Sequence, residues 1–179
     1  MVLRIRKCIL SGFIVCVLLG NISGCGLFYD RGEYLAETNR TDKEMAEELM
    51  QSIIDALEAK DTEALKGLFS VYAWENAYDL DGKIEELMDF YPGSEGGYEG
   101  NVCTHETAER GKKIYVIMVA YTVTHENETY EMSLTTQIEN DMEPDKVGLY
   151  TIQVMTEEAE PDGFKWKDEE DAPGIYVLE

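Results

Sequence analysis

The sequence predicts an α+β domain, with helices first and a meander of antiparallel strands after them. Three observations carry this expectation. Apolar residues recur at about every fourth position as far as Tyr91, and at every second position from about Asn101. Pro92-Gly93 stands between the two regimes, where a helix must stop. The strand-like runs follow one another without helical segments between them, which is the order of an α+β chain.

The chain opens with a segment that is not part of this domain. Arg4, Arg6 and Lys7 form a basic start, and residues 8–19 form an apolar run. That run is too short for a membrane span, which needs ~20 apolar residues, and suits a secretory leader. Ile22-Ser23-Gly24-Cys25 follows directly: an aliphatic residue, a small one, Gly, then Cys. This resembles a bacterial lipobox. The resemblance implies cleavage before Cys25, acylation of its thiol and attachment to the outer face of a membrane. Two acyl chains anchor a protein stably where one does so only marginally. The expected organisation is a signal peptide at 1–24, a lipidated tether at 25–40, a folded domain at 41–156 and an acidic C-terminal segment at 157–179.

Charge narrows the function classes. The full chain carries a formal charge of −22, and loss of Arg4, Arg6 and Lys7 with the leader leaves 12 basic against 37 acidic residues, or −25. Such a chain repels nucleic acid and anionic headgroups. With Cys8 and Cys16 removed and Cys25 lipidated, Cys103 remains without a disulfide partner, and it reads as a buried structural thiol.

Each element has its own signal. Thr41-Asp42-Lys43-Glu44 matches a capping box and opens a helix to about Lys60. Met45, Leu49, Ile53 and Leu57 form its apolar stripe, and Glu47, Glu48, Asp55 and Glu58 its wet side. Asp61 caps a second, short helix with Leu65, Leu68 and Phe69 as its apolar contacts. Val71–Trp74 reads as an aromatic connector, and Leu80, Ile84, Leu87, Met88 and Tyr91 as a further helical stripe. Residues 94–100 read as a loop with three glycines. Strands are expected at 101–107, at 114–125, which is apolar on both faces and so central, at 130–139 and at 147–156. Glu126-Asn127-Glu128 suits a hairpin turn. The strand at 130–139 is expected to leave Glu131, Ser133, Thr135, Gln137 and Glu139 on a polar face. Residues 157–171 read as a solvated acidic tail, and Ile175–Leu178 as a short edge element.

Ile53–Ser70, a helix, then Lys60-Asp61, then a short helix ending in Leu68-Phe69-Ser70, resembles the opening of nuclear transport factor two-like domains. The likeness covers residues 42–156. The whole chain resembles a family of Gram-positive-type lipoproteins that carry a domain of unknown function with this cone-shaped fold. The resemblance implies N-terminal helices on a curved antiparallel sheet of about four strands, with a pocket between the two layers. Members include isomerases, dehydratases, polyketide cyclases and non-catalytic binding or assembly domains, so fold alone does not choose a function.

An enzyme of the isomerase or cyclase type needs a general base in that pocket, and the candidates are His105 and Asp81. His125, at a hairpin end, reads as solvated, and Asp79 and Asp81 are also explained as caps of the following helix. Tyr72, Trp74, Tyr78 and Tyr121, with Tyr91 and Tyr115, are candidates to line a ligand pocket, although such aromatics are more often core. Asp79-Leu80-Asp81-Gly82 fails as a calcium loop, because Ala77 and Met88 fall where acids are required. The two histidines lack zinc spacing, so neither metal nor cofactor is implied. The expected role is a non-catalytic, membrane-anchored binding or interaction domain with an unidentified protein or small-molecule partner. The alternatives are a small extracytoplasmic enzyme and a homodimeric assembly factor joined through the exposed sheet face.

Overall fold

The computed structural model describes residues 41–125, 128–160 and 163–178. The leader, Cys25 and the tether lie outside the described residues, as do Glu126 and Asn127 of the expected hairpin turn.

Helix α1 (Asp42–Ala59) begins as its sequence predicts. Glu44 N donates to Thr41 Oγ1 at 3.3 Å, and Thr41 N donates to Glu44 Oε2 at 2.8 Å. Lys60 ends the helix in the left-handed region, with φ 51°. Met45, Met50, Ile53, Ile54 and Leu57 are buried, and the predicted acidic face is exposed. Helix α2 (Thr62–Lys66) is capped by Asp61, whose Oδ1 accepts from Ala64 N at 2.9 Å. The expected connector is instead a helix, α3 (Val71–Asn76), capped by Ser70, whose Oγ accepts from Ala73 N at 3.1 Å. With only Ala73 buried on it, α3 shows no apolar stripe to betray it. Helix α4 (Leu80–Phe90) buries Leu80, Ile84, Leu87 and Met88 and stops before Pro92. Among the described residues no helix is long and apolar enough to cross a membrane.

The sheet differs from the four antiparallel strands expected. It has five: β1 (Gly97–Glu109), β2 (Lys112–His125), β3 (Glu128–Asn140), β4 (Gly148–Thr156) and β5 (Gly174–Leu178), in the order β1-β2-β3-β4-β5. The first four form an antiparallel meander, whereas β5 runs parallel to β4, pairing Ile175 with Ile152 and Val177 with Val154. The class remains α+β, but the sheet is larger than expected and mixed. A parallel neighbour cannot follow a tight turn; it needs a connection of about a dozen residues or more. The segment between Thr156 and Gly174, most of it (157–171) read above as a tail, is that connection. Strand β1 also starts earlier than expected, at Gly97, inside the supposed glycine loop.

The two faces of the sheet follow from the register. Ile117, Val119, Tyr121, Val123, Met132, Leu134, Ile152 and Val154 point inward and join the helices in one core. The opposite face was expected to be polar over β3, yet Ser133, Thr135 and Gln137 are buried, as are Thr151 and Gln153 of β4. The connection supplies partners to Thr135 and Gln153, and Asn140 Nδ2 donates to Gln137 Oε1. Lys167 N donates to Gln153 Oε1 at 3.0 Å, and Thr135 Oγ1 donates to Lys167 O at 3.1 Å. The Tyr150 hydroxyl donates to Asp171 O at 3.3 Å. Within the connection, Lys167 Nζ lies 2.9 Å from Asp171 Oδ1, and that bond holds the Asp171 carboxyl below its usual range.

Candidate functional site

The pocket implied between helices and sheet is occupied by side chains. Met50, Ile53, Leu57, Leu65, Ile84, Leu87, Met132 and Leu134 meet there, each at most 2 % exposed. The concavities described are on the surface. One of ≈ 470 Å³ lies where Thr41, Asp42 and Lys43 face Gly100–Thr104 of β1. A second, of ≈ 210 Å³, is lined by Thr62, Glu63, Lys66, Asp81, Ile84 and Glu85.

The four aromatic candidates do not converge. Tyr121 is in the core at 3 % exposure, with Tyr98 edge-on at 5.2 Å. Its ring reaches across the strand pair to Gly100, where a Cβ would meet Tyr121 Cδ1 at 2.7 Å. The Tyr121 hydroxyl finds no hydrogen-bond partner among the described residues. Burial pushes its pKa up to about 12, and burial together with the adjacent Asp42 does the same for Tyr115. Both groups therefore keep their protons in the fold after the unfolded chain has lost them near the ordinary tyrosine value of ~10. Between pH 10 and pH 12 the folded state binds more protons, so stability falls as pH rises through that window. Tyr121→Phe removes a buried hydroxyl that has no protein partner. It is expected to leave the thermal midpoint at pH 7 unchanged or higher, and to flatten the loss of stability above pH 10. A lower midpoint at pH 7 would show the hydroxyl to be engaged.

Tyr72 is structural. It stacks on Tyr150 with ring centroids 6.1 Å apart and lies under Lys146 Nζ at 4.7 Å. Trp74 and Tyr78 are the two candidates that face outward. Trp74 is 45 % exposed and Tyr78 87 %, and Val71, on the same helix, is 47 % exposed. The Trp74 indole is fixed by a 2.8 Å bond from Nε1 to Lys66 O.

The two candidate bases stand far from any shared pocket. Asp81 Oδ1 accepts from Lys66 Nζ at 2.5 Å, and this bond raises the lysine's pKa. His105 lies on the outer face of β1, opposite Val116. Its Nδ1 is 2.7 Å from Glu169 Oε1 of the connection, and its Nε2 is 3.3 Å from Thr107 Oγ1. Thr107 was not singled out from the sequence, and Glu169 was read there only as part of the solvated acidic tail. Alternation along β1 could have pointed to Thr107, but nothing local places Glu169 beside His105. Cys103, expected to be buried, is exposed on the same outer face. His125, expected to be solvated, has a buried Nδ1 paired with Glu95 beneath Gly93. No group of three or more His, Cys, Asp or Glu able to hold a metal ion occurs among the described residues.

These features define a helix-backed α+β domain with a filled interior, whose distinctive chemistry lies on its outer surface. The chain belongs to the family described as "Domain of unknown function (DUF5104)", whose model matches residues 52–157, more than half of the chain. No curated protein and no solved structure matches it.

Proposed function

We propose that this protein is a lipid-anchored, extracytoplasmic interaction domain that acts through its surface rather than through chemistry in an internal pocket. The anchor rests on the basic start, the short apolar run and Ile22-Ser23-Gly24-Cys25. The interaction role rests on one observation. Val71, Trp74 and Tyr78 stand exposed along α3 and the turn after it, on a domain whose interior is packed. Trp and Tyr are enriched among the residues that dominate binding at interfaces, and Trp74 is held in place by its bond to Lys66 O. Cys25→Ser is expected to move the protein from the membrane fraction to the soluble fraction and to abolish incorporation of an alkynyl fatty acid. Retention of either property in the mutant would overturn the anchoring half of the proposal.

One observation favours a second reading, a small enzyme with His105 as general base. Glu169, His105 and Thr107 form a carboxylate–imidazole–hydroxyl chain, an arrangement that activates hydroxyl nucleophiles in hydrolytic sites. The chain is open to solvent, with the His105 side chain 57 % exposed, so nothing described there excludes water or orients a substrate. If this reading holds, His105→Gln and Glu169→Gln both abolish hydrolysis of a panel of activated esters. Hydrolysis that survives both substitutions, or is absent from the unmodified protein, removes it.

A further inference from the structure

We propose that the corner formed by Val71, Trp74 and Tyr78 is the docking surface for a basic segment of a partner protein. The proposal rests on the interaction role above and names the surface and the chemistry of its occupant. Val71 and Trp74, three positions apart, are both exposed on α3, and Tyr78, 87 % exposed, stands in the turn that follows it. The central one is preorganised: the Nε1–H bond to Lys66 O fixes the indole before any partner arrives, so little rotamer freedom is lost on binding.

Charge selects the occupant. Glu75 is exposed on α3 four positions, one helical turn, from Val71, and the Asp79 carboxyl lies over Gly82 at the start of α4. Glu63, Asp81 and Glu85 line the cleft beside Lys66, the residue whose carbonyl holds the indole. Lys66 is committed to Asp81. Glu75, Asp79 and Glu85 form no ion pair among the described residues. An apolar centre with a carboxylate rim fits a segment that carries Lys or Arg around its own apolar residues, with an arginine able to lie over the indole face. A second copy of a chain with net charge −22 brings the wrong sign, and so does an anionic lipid surface.

The test uses the full chain in its producing cells, with a benzophenone amino acid at position 78 and, separately, at position 99 on β1. Position 78 is expected to yield an adduct whose cross-linked peptide holds more Lys and Arg than Asp and Glu. Trp74→Ala should lower its yield about tenfold or more, and Glu75→Lys with Glu85→Lys should do likewise. Trp74→Ala also loses the bond to Lys66, so Val71→Ser, a change at an exposed position, serves as the second variant and is expected to lower the yield in the same direction. The proposal is overturned by an adduct with another copy of this chain, with lipid or with a neutral or acidic segment, by an adduct that survives these substitutions, or by no adduct at position 78. An adduct at position 99 but not at 78 overturns the surface named here while leaving the interaction role standing. Membrane fractionation of the same variants reads the anchor independently, because it depends on Cys25.

Discussion

A chain that ends at Thr156 is expected not to fold cooperatively. The family match stops at residue 157, and the sequence beyond it reads as an acidic tail followed by a short edge element. The structure gives that region two structural roles. Strand β5 completes the sheet beside β4 and packs on α4, burying Ile175 to 4 % exposure and placing Val177 against the core. The connection ahead of it bonds Thr135 and Gln153 through the Lys167 backbone. A fully buried large apolar side chain contributes roughly 1.5–3 kcal/mol. Losing Ile175 and Val177, and exposing Ile152, Val154 and Met155 along the freed edge of β4, therefore removes about 5 kcal/mol or more. That matches the lower end of a domain's whole stability, about 5–15 kcal/mol. Circular dichroism should show no cooperative thermal transition in the truncated protein. A transition within a few degrees of that of the full chain would mean that β5 is an accessory.

Gly148→Val is expected to destabilise the domain by about 2–5 kcal/mol, the sum of backbone strain and overpacking. Gly148 has φ +125°, a conformation that side-chain-bearing residues rarely adopt, and a Cβ there would lie 3.0 Å from Ser70 N and 3.1 Å from Ser70 Cα. Neither neighbour can give way, because both are backbone atoms held by the bridge that ties the helices to the sheet. Ser70 N donates to Leu149 O at 2.9 Å, and Leu149 N donates to Leu68 O at 2.9 Å. A branched side chain must break these bonds or force β4 out of register with β3. Urea unfolding should show a lower midpoint with little change in slope. A loss below about 0.5 kcal/mol, the range of ordinary surface substitutions, would show that the junction is pliable.

Local signals in the sequence were sufficient where a single element explains them. The capping box at Thr41 and Glu44, the cap at Asp61, the stripe of Leu80, Ile84, Leu87 and Met88 and the stop at Pro92 all act within a few residues of one another. Helix α3 was missed because it has six residues and buries only Ala73. The polar alternation of β3 was visible, but its meaning was not. Alternation shows that two faces differ; it does not show what covers the polar one. Here Lys167 supplies backbone partners to Thr135 and Gln153, so polar residues are buried without being orphaned.

The candidate site was legible only as a set of residue types. Trp74 and Tyr121 look alike in sequence, yet one is 45 % exposed and the other 3 %. His105 gains Glu169, sixty-four positions away, and Asp81 gains Lys66. The sequence by itself determined the α+β class, the helix boundaries set by caps and proline, the acidic charge, and the N-terminal resemblance to a lipobox on which the proposed anchor rests. Tertiary structure alone decided the parallel fifth strand, the covered sheet face, the filled interior and the separation of the aromatic and titratable candidates. The reason is physical: caps and periodicity act over one or two turns, whereas pairing and burial depend on which distant segments the packing brings into contact.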